Sequence, residues 1–178
     1  MDSSLALILS LVITVNPAAT CWPNKALSAR EKQSHFVVFA VLSGSLFALG
    51  SLAGGIFSLL EISSPTFRLG AGLVIGLSCG KWLIAPNLAP THEDSNRELL
   101  HIGLHMLSPG PVFAAIAGGG DAGIMPLLIA CTILLAILGA ATLTKVADMN
   151  IRNAVVRLFG ALGVAIAVII GLDAARTV

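Results

Sequence analysis

Six long apolar runs separated by short polar links fill most of the chain, at 5–27, 36–60, 67–85, 99–118, 124–143 and 154–174. A helix needs about 20 apolar residues to cross the hydrocarbon core of a bilayer, so each run has the length of one span. The pattern predicts an all-α membrane protein of six transmembrane helices. The longest link, 86–97, gathers Pro86, Pro90, His92, Glu93, Asp94 and Asn96, and reads as a hinge between two halves. The expected organisation is a three-helix unit at 1–88, a linking loop at 89–98 and a second three-helix unit at 99–178.

Two of the runs are interrupted. Asn16-Pro17 stands within the first and Ser108-Pro109-Gly110-Pro111 within the fourth. A mid-span proline removes a backbone donor and clashes with the preceding turn. The residue before each proline is a good helix N-cap and proline suits the first helical position, so each pair reads as the start of a fresh half-helix near the membrane midplane. A helix start carries unpaired N–H groups and roughly half a positive charge, which lipid cannot satisfy. Asn16, Pro17 and Ala18, with Ser108, Pro109 and Gly110, are therefore the expected substrate-binding positions, suited to a carboxylate or phosphate.

The halves also share a pattern. Phe67-Arg68-Leu69-Gly70-Ala71-Gly72 opens the third run, and Val156-Arg157-Leu158-Phe159-Gly160-Ala161-Leu162-Gly163 falls at the start of the sixth. With three spans per half, a second copy must lie upside down relative to the first, the inverted-repeat plan of many secondary transporters. Small residues at four-residue spacing, Gly72, Gly76 and Gly80 in the third run, and Gly44, Ala48, Ser51 and Gly55 in the second, suggest helix-packing faces.

Composition agrees with this picture. Hydrophobic residues make up 56% of the chain and charged ones 11%, and the mean hydropathy is +0.95, far from an ordinary soluble domain. A net charge of +1 without a basic run leaves no nucleic-acid footprint. Lys25, Arg30, Lys32, Lys81, Arg97, Lys145, Arg152 and Arg157 sort to the links after spans one, three and five, against Arg68 and Arg176 on the opposite side. By the positive-inside rule both termini face outward from a plasma (inner) membrane. Asp2 and the lack of Lys or Arg before the first run argue against a signal peptide. Cys21, Cys79 and Cys131 are widely spaced and read as small packing residues.

Among the ionisable groups, Glu98, His101 and His105 can share one helical face and are weak candidates for a divalent metal, although no fourth ligand is fixed by spacing and no metal is expected. His105 lies three residues before Ser108 and is the candidate for proton coupling; a sodium ion held by backbone carbonyls is the alternative coupling ion. Lys81 reads as a snorkelling anchor, and Asp121, in the Gly-rich stretch 118–123, as a solvated turn residue. No nucleophile pairs with a base at recognisable spacing, so no enzyme and no cofactor is expected.

The early Asn16-Pro17, the stretch Ile62-Ser63-Ser64-Pro65-Thr66-Phe67-Arg68-Leu69-Gly70-Ala71-Gly72, Pro109-Gly110 and the final 157–173 segment resemble the MarC family of six-span membrane proteins within the LysE transporter superfamily. The resemblance implies six helices in two inverted halves and a transporter, with neutral amino acids as the substrate class. The expected function is a secondary transporter of a small polar or zwitterionic solute. The alternatives are a carrier or flippase for an anionic lipid headgroup such as polyprenyl phosphate, and a non-transporting subunit of a membrane assembly. The expected partners are the lipid bilayer, the solute and its coupling ion, with a homo-oligomer left open.

Overall fold

A computed structural model of the protein describes residues 3–22, 27–86, 95–144 and 148–177. Every regular element among them is an α-helix: α1 Ser3–Val15, α2 Pro17–Thr20, α3 Ala29–Ser51, α4 Ala53–Leu59, α5 Ser64–Ile84, α6 Ser95–Met106, α7 Pro109–Ala122, α8 Ile124–Leu143 and α9 Met149–Ala175. Among the described residues five stretches are long and apolar enough to cross a membrane, namely α1 with α2, then α3, α5, α8 and α9. A sixth is made if α6 and α7, which meet at a bend of 42°, count as one.

Local chemistry sets where the helices start. Ser28 and Glu31 close a capping box at α3: the Ser28 side chain accepts from the Glu31 N–H at 3.3 Å, and the Glu31 carboxylate accepts from the Ser28 N–H at 2.7 Å. Two orphan donors are satisfied at once, so α3 begins at Ala29, seven residues before the apolar run that predicted it. It also ends early, at Ser51, and α4 follows as a separate short helix. Asp148 caps α9 through the Asn150 N–H at 2.8 Å, which carries that helix back to Met149. Helix α6 begins at Ser95 and takes in residues 95–98 of the expected linking loop; 89–94 lie outside the described residues. In each case polar residues with good caps extend a helix beyond its apolar window.

The interior is an apolar core that also holds several polar groups, and large apolar side chains face outward as well. Leu69, Leu73 and Leu77 form an exposed stripe along α5, and Val41, Leu128, Ile129, Leu158 and Leu172 are also exposed. The buried set contains Ser10, Thr14, Asn16, Thr20, His35, Ser43, His105, Thr142 and Arg152 beside the apolar core. Water would penalise that exposed belt, whereas lipid would not. All three cysteines are buried and free.

Glycines set the closest approaches. Helices α5 and α9 run antiparallel, with Arg68 meeting Asp173 at one end. A Cβ on Gly72 would stand 2.9 Å from the Ala167 carbonyl, and one on Gly160 would stand 3.0 Å from that of Cys79. Gly119 of α7 lies directly on the backbone of Gly50 in α3. The expected small-residue faces are therefore only partly used. Gly72 and Gly76 face α9, but Gly80, Gly44 and Gly55 have nothing within 4 Å of an added Cβ; Gly50 makes the contact in α3 instead. His35 ties α3 to α6: its Nδ1 lies 2.8 Å from the Glu31 carbonyl and its Nε2 lies 3.5 Å from Glu98.

Candidate solute site

The chain breaks off helical geometry at Asn16, whose φ of 48° and ψ of 81° lie in the left-handed region. Asparagine tolerates that region better than most residues. From there its side chain works in two directions: Oδ1 accepts from the Ala19 N–H at 3.3 Å, and Nδ2 donates to the Val156 carbonyl of α9 at 3.2 Å. Pro17 follows at the first position of α2. The Ala18 carbonyl accepts from the Arg152 Nε at 3.1 Å. Asn16, Pro17 and Ala18 are all buried, so this half of the expected site is packed against α9.

At the second break Ser108 occupies the N-cap position of α7 in extended geometry, with Pro109 next, but its side chain makes no capping hydrogen bond. Ser108 is half-buried, Pro109 is exposed and Gly110 is buried. A Cβ on Gly110 would stand 2.9 Å from the Cβ of Ser78 and 3.7 Å from that of Thr14. Gly110 thus lets α7 close on α5 and α1 one turn from the first break. His105, just before this break, lies against the backbone of Val15. The two breaks are therefore neighbours, joined through Thr14, Val15, His105 and Gly110 rather than through Asn16 and Ser108.

Above this seam lies a cavity of about 190 Å³ between α1, α5, α7 and α9. Ser10, Ile75 and Ala114 are among its walls, and Ser3, Arg68, Asp121 and Asp173 bring charge and polarity to it. Ser10 donates to the Leu7 carbonyl at 3.0 Å, and Thr14 donates to the Ser10 carbonyl at 2.6 Å. Hydroxyls can thus sit in an apolar helix with their donors satisfied along the backbone, while the oxygen lone pairs stay able to accept. The six expected substrate-binding residues are not among those lining this cavity.

Charges from three helices meet here. The Arg68 Nε lies 2.8 Å from Asp121, and the guanidinium also bonds Asp173. Ser64 donates to Asp121 at 2.8 Å. Asp121 belongs to the last turn of α7, because the helix runs to Ala122 and turns at Gly123, whose φ is +85°. It is helical and ion-paired, which corrects its reading as a turn residue, while it remains exposed as a solvated residue would be. The sequence pattern marks Arg68 only as a boundary charge and gives Asp173 no role. The available signal was their placement at the start of the third run and the end of the sixth, ends that meet when those helices pack antiparallel.

Glu98 turns to His35, while the His101 and His105 rings stack with centroids 6.2 Å apart. Among the described residues no three His, Cys, Asp or Glu side chains gather as a metal site. Lys81 is exposed, with its Nζ 5.7 Å from the centre of the Trp82 ring. Comparison with protein-family models, with curated proteins and with solved structures finds no match to this chain.

Proposed function

We propose that the protein is a secondary transporter in the plasma (inner) membrane, moving a small polar or zwitterionic solute by alternating access. The observation that carries this reading is the cavity whose walls Ser10 and Ala114 stand one helical turn from Thr14 and Gly110 at the two adjoining breaks. A passage lined by hydroxyls and apolar walls admits a small solute, and the breaks beneath it supply backbone that can change direction. The resemblance to the MarC family points the same way and suggests neutral amino acids. His105 is the proposed coupling residue, since it lies at the junction of the breaks.

An inverted repeat, with spans one and four broken near the midplane, is part of this proposal. It is supported by the exchange of contacts between halves: α1 packs on α8 as α7 packs on α3, and α5 pairs with α9 antiparallel. Such a plan gives two conformations of similar energy, open to opposite sides. The test is counterflow in proteoliposomes with a panel of neutral amino acids. Uptake should be saturable, and Ala114→Trp, which fills the cavity, should abolish it while the protein stays folded. Equal uptake by Ala114→Trp would sink the assignment of this passage.

A further inference from the structure

Helix α6 is held to the bundle in two different ways. Its second half carries Ile102 and Met106, which are buried in the apolar core. Its opening turns rest on α3 through His35, whose side chain is 1% exposed and meets that of Glu98, 30% exposed, at 3.5 Å. Both ring nitrogens of His35 face oxygen: Nδ1 lies 2.8 Å from the Glu31 carbonyl, and Nε2 faces the Glu98 carboxylate. A carbonyl and an ionised carboxylate can only accept. Nδ1 therefore carries a hydrogen, and a bare Nε2 would set one acceptor against another. The contact needs one proton more than a neutral imidazole and a carboxylate hold between them. Because Glu98 is partly open to water and imidazole is the stronger base, that proton belongs on Nε2, and the pair is an imidazolium beside a carboxylate. A cation buried as deeply as His35 is tolerable only when it is paired in this way.

The surroundings bring no rival partner. Among the described residues, Glu98 and Glu31 are the ionisable groups that act on His35. The Glu31 carboxylate accepts from the Ser28 N–H at 2.7 Å, and His101 stands one turn beyond Glu98 on α6. Of the other helices packed on α3, α4 and α8 carry no charged residue and α7 carries only Asp121. Arg68 holds Asp121 beside the far end of α3, where Gly119 meets Gly50. The Phe39 ring flanks His35 within α3, with centroids 6.1 Å apart.

We propose that His35 and Glu98 form a one-proton latch that docks the start of α6 on α3 and releases it as pH rises. Such a latch works whether or not the protein is a transporter. Apart from each other, a histidine gives up its proton near about pH 6.5 and a glutamate near about pH 4.3. Docking above about pH 6.5 thus takes up a proton from water, and it weakens as protons become scarce. Release returns that proton to water and leaves a neutral ring and a carboxylate with nothing to hold them together. His35 stands in the polar opening turns of α3 with Arg30 and Lys32, just ahead of the apolar run 36–60, where water can supply the proton. Because α6 leads directly into the Ser108 break, the latch sets how freely the chain ahead of that break can move.

Val37→Cys and Leu100→Cys, both at exposed positions, would carry spin labels on α3 and α6 of the folded protein in nanodiscs, where the native cysteines are buried. At about pH 5.5 the labels should show a single distance, and a longer population should grow toward about pH 8.5. Glu98→Gln is the decisive variant, because its amide can donate to a neutral Nε2: α6 should stay docked at both pH values. His35→Leu should abolish the pH response and leave the distance broad throughout. Parent distances that do not change with pH would overturn the latch, as would a full pH response retained in Glu98→Gln. Nitrogen NMR of labelled histidine gives a second measurement that needs no motion of α6. The parent should contain a ring protonated on both nitrogens that His35→Leu lacks, and its titration midpoint should fall by about one unit or more in Glu98→Gln. An equal midpoint, or a bare nitrogen on His35 while α6 is docked, would overturn the assignment of the proton to this pair.

Discussion

Asn16 combines three tasks that no other side chain can take over together. It adopts a left-handed backbone, caps α2 through Ala19 and satisfies the Val156 carbonyl across the interface. Asn16→Ala should lower stability by about 2 kcal/mol, from a lost cap and a lost buried bond. Asn16→Gly loses the same bonds but relieves the backbone, so it should be the milder change; thermal denaturation in detergent would rank the two, and the opposite order would show that strain at this position is negligible. Glycines offer a second contrast. Gly119→Ala drives a methyl into the Gly50 backbone and should lower the melting temperature sharply, because backbone on both sides cannot yield. Gly80→Ala meets open space and should match or exceed the parent, since alanine favours a helix interior by about 0.5–1 kcal/mol. Equal losses in the two variants would contradict the packing described for α3 and α7.

Between elements, the Arg68 cluster is the joint that holds α5, α7 and α9 together at one end of the cavity. Its side chains are partly exposed, 20% for Arg68 and 25% for Asp121, which limits the strength of each pair. A double-mutant cycle of Arg68→Gln and Asp121→Asn should return a coupling of about 0.5–1 kcal/mol that shrinks with added salt. A coupling of zero at low salt would mean that the contact carries no energy. If this end opens during transport, the same substitutions should raise the rate of solute exchange relative to their effect on stability. The α1–α2 break makes a different demand. Pro17→Ala restores a backbone donor and allows α1 and α2 to run together, so uptake should fall while the melting temperature holds. Uptake equal to the parent would show that the interruption has no role in transport.

For the whole molecule, Ser3 and Asp173 line one cavity, so the start of α1 and the end of α9 share one end of the bundle. Eight of the ten basic residues sort away from that end by sequence, and the positive-inside rule then predicts that both termini face outward. A C-terminal reporter active only in the cytoplasm should stay dark on the intact protein. A bright signal would reverse the orientation and put the Arg68 cluster on the inner side.

The lengths of the apolar runs and the positions of the caps are written locally, so most of the helices can be read from the chain alone, although the break between α3 and α4 cannot. Residues 124–143 were read to the same ends that α8 shows, because Gly123 and the end of the apolar run mark both limits. Pro17 and Pro109 likewise stand where α2 and α7 begin. Which faces of the helices meet was not legible. Lipid and protein interior are both apolar, and hydropathy therefore cannot distinguish a glycine facing a neighbour from one facing the surrounding bilayer. Only tertiary structure chose Gly50 over Gly44 and Gly55, drew Arg68 to Asp121 and Asp173 from three helices, and set His35 beside Glu98. The cavity arises from the same choices, since its walls come from four helices distant in sequence whose relative rotation no local pattern records.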